Sequence, residues 1–159
     1  MDAQTLILHL HAFATLAMVG LIWFVQVNHY PLFALVADSG DAGWTRYERA
    51  HQTRTTLVVM PLMLTELATA AWVALYRPAG VGGPLALAGL ALLGVLWGST
   101  FLVAVPLHRR LSRGFRAETH RTLVLTNWAR TAAWSARGVL ALAMLQGALL
   151  ARGEGMPTP

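Results

Sequence analysis

Residues 3–37 read AQTLILHLHAFATLAMVGLIWFVQVNHYPLFALVA, and no Asp, Glu, Lys or Arg lies between Asp2 and Asp38. A charge-free run of more than about 20 residues reads as a membrane-spanning helix, because only a helix pairs all its own backbone groups in hydrocarbon. Three further apolar stretches occur, at roughly Thr55–Tyr76, Pro84–Leu107 and Thr122–Leu150, interrupted inside only by Glu66, Arg130 and Arg137. The fold expected is therefore all-α: an integral membrane four-helix bundle of up-down topology. It forms a single transmembrane domain over residues 1–159, with spans at about 5–28, 55–76, 84–107 and 122–150.

A charge at the bilayer centre costs on the order of 3 kcal/mol or more, so the three intramembrane charges need partners or a task. The composition leaves little room for anything outside the membrane: of 159 residues, 56% are hydrophobic and 12% charged. The net charge of +5 is carried by arginine without any lysine. Lacking a lysine-rich tail or a soluble basic domain, the chain is expected to have no nucleic-acid partner. Cysteine is absent, which excludes disulfides, thiolate metal sites and thiol catalysis. The first apolar run lacks a basic n-region and is too long for a signal peptide's core, so it is expected to be retained as a span.

The arginines give the orientation. Arg46, Arg49 and Arg54 come after the first span, and Arg109, Arg110, Arg113, Arg116 and Arg121 after the third; Arg77 and Arg152 lie on the opposite side. The positive-inside rule then predicts a multi-pass protein of a bacterial-type inner (plasma) membrane with both termini outside the cytoplasm. Tyr30, Trp44 and Tyr47 are expected in an aromatic belt at the inner surface, and Trp72 and Tyr76 at the outer one.

Local signals place the helix ends. The first helix is expected from Gln4 or Thr5 to about Asn28, because Pro31 disfavours the helical region at the residue before it. Asp38-Ser39-Gly40-Asp41 reads as a turn, with Ser39 or Asp41 capping a second helix that starts before the membrane and bends near Pro61. Gly94 and Gly98 form a small-xxx-small pair, read as packing inside the bundle. Gly114 is expected to stop the third helix, and the fourth begins near Ala117 and ends at Arg152-Gly153-Glu154-Gly155.

Polar residues converge in two places. His29, His51, His108 and His120 stand at one end of the bundle, and imidazoles from different helices suit a metal or a haem. His29, His51 and His108 are the candidate metal and cofactor ligands, with haem, iron or copper possible. An ordinary interfacial placement is the competing reading. His11, Thr15, Met18, Ile22, Gln26 and His29 share one face of the first helix, and His11 belongs to a deeper layer. On the fourth helix Asn127, Arg130, Trp134 and Arg137 step by three and four into an inward stripe. Arg137 and Glu66 fall at similar depth, so an ion pair between them is expected. Glu66, Asn127, Arg130 and Arg137 are the candidate catalytic residues, lining a cavity for an anionic or carbonyl-bearing substrate.

Val105-Pro106-Leu107, with Asn127-Trp128-Ala129-Arg130-Thr131 about 20 residues later, resembles the small four-helix membrane proteins of the anthrone-oxygenase-like family. The similarity covers mainly the C-terminal half; His108 stands where the family has asparagine, and His29-Tyr30-Pro31 is a further difference. The resemblance implies an oxygenase-like role for Asn127 and Arg130 and says nothing of a metal. The function expected is a small membrane oxidoreductase acting on a lipophilic aromatic, quinone or tetrapyrrole. The alternative is a non-catalytic subunit or assembly factor of a larger respiratory or photosynthetic membrane complex. Expected partners are the lipid bilayer, a lipophilic small molecule and, in the alternative, neighbouring membrane subunits.

Overall fold

The computed structural model describes residues 2–153. Five helices are present among them: α1 (Ala3–His29), α2 (Phe33–Ala37), α3 (Asp41–Tyr76), α4 (Gly83–Leu111) and α5 (Ala117–Gly153). Four of these, all but α2, are long and apolar enough to cross a membrane, and no strand occurs among the described residues. α1 packs on α3 and α5, and α4 packs on α3 and α5, so the four long helices close a bundle. The short links 77–82 and 112–116 leave consecutive helices no choice but to run antiparallel. The expected tail residues Glu154 and Gly155 lie outside the described residues.

The outside is apolar. Phe13, Leu57, Leu75, Leu102 and Val139 are all more than 60% exposed, a surface that fits a multi-pass membrane protein. Inside, apolar and polar layers alternate. One apolar layer holds Met18, Ile22, Met63, Leu93, Leu96 and Trp134, and a second holds Leu8, Val73, Val81, Ala86, Met144 and Ala148. Between them lies a polar layer built on Glu66 and Arg137. At the arginine-rich end a third cluster gathers Tyr30, Phe33, Trp44, Leu107, Leu111 and Leu123.

Two prolines reshape the helices at that end. The last turn of α1 (Val25–His29) and a mid-helix turn of α4 (Thr100–Ala104) are π-helical. Each comes just before a proline, Pro31 or Pro106, whose ring would strike the carbonyl four residues back and which offers no N–H to it. Widening the turn relieves that clash. The Tyr30 and Val105 amides reach back five residues, to the Val25 and Thr100 carbonyls. Pro61 causes no such break, and α3 is continuous through it with the proline ring exposed.

Several local expectations are corrected. α3 is capped by Gly40 at φ 87° and not by a side chain; the Ser39 hydroxyl donates instead to the Val36 carbonyl at 2.7 Å. Tyr30 and Trp44 are buried and do not form an interfacial belt: Trp44 donates to the Leu111 carbonyl at 2.7 Å and ties the start of α3 to the end of α4. Gly94 and Gly98 meet nothing within 4 Å, so they do not pack inside the bundle.

Candidate functional site

The arginine-rich end of the bundle brings imidazoles together through two arrangements rather than one. Phe33 is fully buried, and its ring lies 5.2 Å from His29, 5.1 Å from His51, 6.2 Å from His108 and 6.1 Å from His120. The four histidines surround a phenylalanine, which leaves no room for a macrocycle among them. His120 donates through Nε2 to the Tyr30 carbonyl at 2.8 Å and so anchors the link between α1 and α2.

The other three imidazoles fall into two adjacent hydrogen-bonded sets, one of which includes a residue that sequence reasoning passed over, Glu48. His29 Nε2 and His51 Nδ1 are 2.9 Å apart, and the Thr55 hydroxyl also approaches His51 Nδ1 at 3.0 Å. His108 lies 2.7 Å through Nδ1 from Glu48 Oε1 and 2.9 Å through Nε2 from the Tyr30 hydroxyl. Burial pushes the Tyr30 phenol above its ordinary value, against the opposing pull of the Arg130 guanidinium nearby, so Tyr30 is a neutral donor. Glu48 is 0% exposed; Gln52 also donates to its Oε1 at 3.2 Å, while its buried Oε2 has no partner among the described residues. Donor atoms of Glu48, His51 and His108 lie within 4.8 Å of one another. The signal for Glu48 was present in the sequence as Glu48-x-x-His51, a spacing that puts both side chains on one helical face. His29 is outside this group and acts on it through His51.

His51 and His108 also close one end of a cavity of about 310 Å³ between the helices. Met18, Ile22, Val59, Met63, Phe101 and Ala104 give it apolar walls, and Gln52, Thr55, Thr56, Thr100, Arg109 and Arg130 give it polar ones. Exposed Thr56 on α3 and Phe101 on α4 place its mouth on the lipid-facing seam of those helices. Arg130 is held by Asn127 Oδ1 at 2.9 Å and the Thr100 hydroxyl at 3.2 Å, and Asn127 in turn donates to Gln26 Oε1 at 2.9 Å. The Arg130 Nε has no partner among the described residues. Arg130 also borders a second cavity of about 260 Å³ between α4 and α5, which Asn127 lines.

Glu66 and Arg137 meet elsewhere. Arg137 Nε donates to Glu66 Oε1 at 2.7 Å, Thr15 donates to the same oxygen at 2.8 Å, and Arg137 Nη1 donates to the Gly89 carbonyl. His11 packs in this layer with Nδ1 3.0 Å from the Thr69 hydroxyl. No space for a water-sized molecule remains beside the pair. The structure therefore separates the four candidate catalytic residues: Asn127 and Arg130 border the cavities, while Glu66 and Arg137 join α3 to α5 in a filled layer.

No protein-family model, curated protein or solved structure matches this chain.

Proposed function

We propose that the protein is a small integral membrane oxidoreductase, oxygenase-like, acting on a lipophilic substrate that enters from the bilayer between α3 and α4. The observation that carries this reading is the cavity of about 310 Å³, with an apolar side formed by Met18, Ile22, Val59 and Met63 and a polar side that includes His51, His108, Tyr30 and Arg130. At the small end of the roughly 300–1,000 Å³ of ligand pockets, it suits an aromatic or quinone better than a tetrapyrrole. Arg130, held by Asn127 and Thr100 on the cavity wall, brings its positive charge to a carbonyl or anionic oxygen of that substrate. Tyr30, 2.9 Å from His108 Nε2, offers a group that exchanges one proton at the polar end. The short resemblance at Asn127 and Arg130 points the same way. By the arginine asymmetry, this end lies at the cytoplasmic leaflet of a bacterial-type plasma membrane, with both termini outside.

The test compares lipid extracts of membranes carrying the wild type, His108→Ala or Arg130→Gln at equal protein levels. A lipophilic compound changed by an oxygen atom or by hydrogens should form with the wild type alone. Identical extracts from all three would sink the reading. A second reading, a non-catalytic subunit or assembly factor of a larger membrane complex, draws on Gly94 and Gly98, which meet nothing and leave that face of α4 open to a close neighbour. Migration in a large assembly on native gels, with unchanged extracts, would favour it.

A further inference from the structure

We propose that Glu48, His51 and His108 form a metal centre of the two-histidine, one-carboxylate kind, suited to a non-haem ferrous ion. The inference rests on reading this end of the bundle as the reactive site, and it supplies that site with a redox centre that the side chains alone lack. A set of two imidazoles and one carboxylate, with open positions beside a cavity, is the donor pattern of non-haem iron; the same set also binds catalytic zinc.

The geometry meets the requirements one by one. Glu48 and His51 project from one face of α3, and His108 comes across from α4. Three ligands bonded at about 2.1 Å on one face of a metal lie about 3.0 Å apart, so donor atoms now within 4.8 Å need to close by at most about 1.8 Å, within reach of side-chain rotation. Glu48 Oε2 is buried without a partner among the described residues. His51 uses Nδ1 toward His29 and Thr55, which leaves Nε2 for the ion. His108 Nδ1 shares a proton with Glu48 Oε1 at 2.7 Å, and a cation there takes the place of that proton. The displaced proton is then carried on Nε2, so His108 donates to the Tyr30 oxygen, 2.9 Å away, instead of accepting from it.

Each ligand thus has an outer partner that fixes its orientation, as metal-bound histidines and carboxylates require: His29 and Thr55 for His51, Tyr30 for His108, and Gln52 for Glu48. His29 is a positioning residue in this arrangement and not a ligand. The rival explanation is a plain buried Glu48–His108 pair locking α3 to α4. That explanation gives no reason for a His51 nitrogen to lie within 4.8 Å of donor atoms of both members of the pair.

The experiment uses the full chain purified in detergent, its native metal content measured, then stripped with chelator and titrated with Co(II) as an optical probe and anaerobically with Fe(II). One equivalent per chain should bind, and the protein as isolated should carry iron. Glu48→Gln, His51→Ala and His108→Ala should each weaken binding by more than about 100-fold, whereas His29→Ala should weaken it by about 10-fold. His120→Ala should leave it unchanged. Glu48→Asp keeps the charge and guards against loss of fold; it should alter the Co(II) spectrum. Absence of stoichiometric binding, or a Glu48→Asp spectrum and a His108→Ala affinity equal to wild type, overturns the centre. Zinc in place of iron in the isolated protein overturns the assignment of the ion. Metal bound without any substrate conversion removes the proposed activity and leaves the centre standing, while conversion by a metal-free protein does the reverse.

Discussion

Removing one member of a buried ion pair strands the other, and Glu66 and Arg137 show this at its most severe, since both side chains are almost fully buried. Glu66→Gln or Arg137→Gln alone should cost about 3–5 kcal/mol, and the double variant less than the sum of the two. Thermal unfolding in detergent measures this. Equal stability of wild type and both single variants would show that the pair bears no energetic weight. A gentler case lies at the opposite rim, where Asp2 caps α1. The Thr5 amide at 2.9 Å and the Arg152 guanidinium hold the Asp2 carboxyl at about 2, below its ordinary 3.8. A lowered pKa stabilises the fold above the unfolded value and loses that contribution as pH falls, here from about 4 to about 2. Protection of the first-turn amides of α1, measured as exchange relative to the intrinsic rate at each pH, should therefore fall over that interval, and modestly with salt, because the pair is exposed to solvent.

Helices in this bundle are positioned by close approaches and by the breaks that prolines impose. Gly80, at φ 79° in the link between α3 and α4, lies against Gly147 of α5, and a Cβ on either one would run into the carbonyl oxygen of the other. Gly80→Ala and Gly147→Ala should each destabilise by about 2 kcal/mol or more, and Gly82→Ala, which meets nothing, by far less. Comparing the three melting temperatures tests the contact directly. The π-helical turns before Pro31 and Pro106 act on function more than on stability. One extra residue in a turn rotates the rest of the helix by about 100°, and the residues so rotated include Tyr30 beyond the first turn and His108 beyond the second. No periodicity count that assumes a uniform helix can include that rotation.

For the whole molecule, the charge asymmetry predicts that a reporter fused at Gly40 is active in the cytoplasm and one fused after Pro159 outside it. Reversed activities would invert the bundle and move the candidate site to the outer leaflet. The four spans, their short links and the inward stripe of α5 were legible in the sequence, because the cost of leaving polar groups in hydrocarbon is a local property of each segment. His11, Thr15, Met18, Ile22 and Gln26 obey the same rule and are all buried. The site was legible only in part. Glu48 lies among arginines ahead of the second span, where a charge does not stand out, and its burial depends on α4 lying across it. His29 looked equivalent to His51, yet only His51 lies beside the carboxylate, and Phe33 from the unexpected α2 packs against both rings. Hydrophobic patterning alone determined that four helices are fit to cross a membrane and which faces turn inward. Which side chains meet at the end of the bundle was decided by tertiary structure, because the π-helical turns and the packing around Phe33 set rotations and distances that no single helix carries in its own sequence.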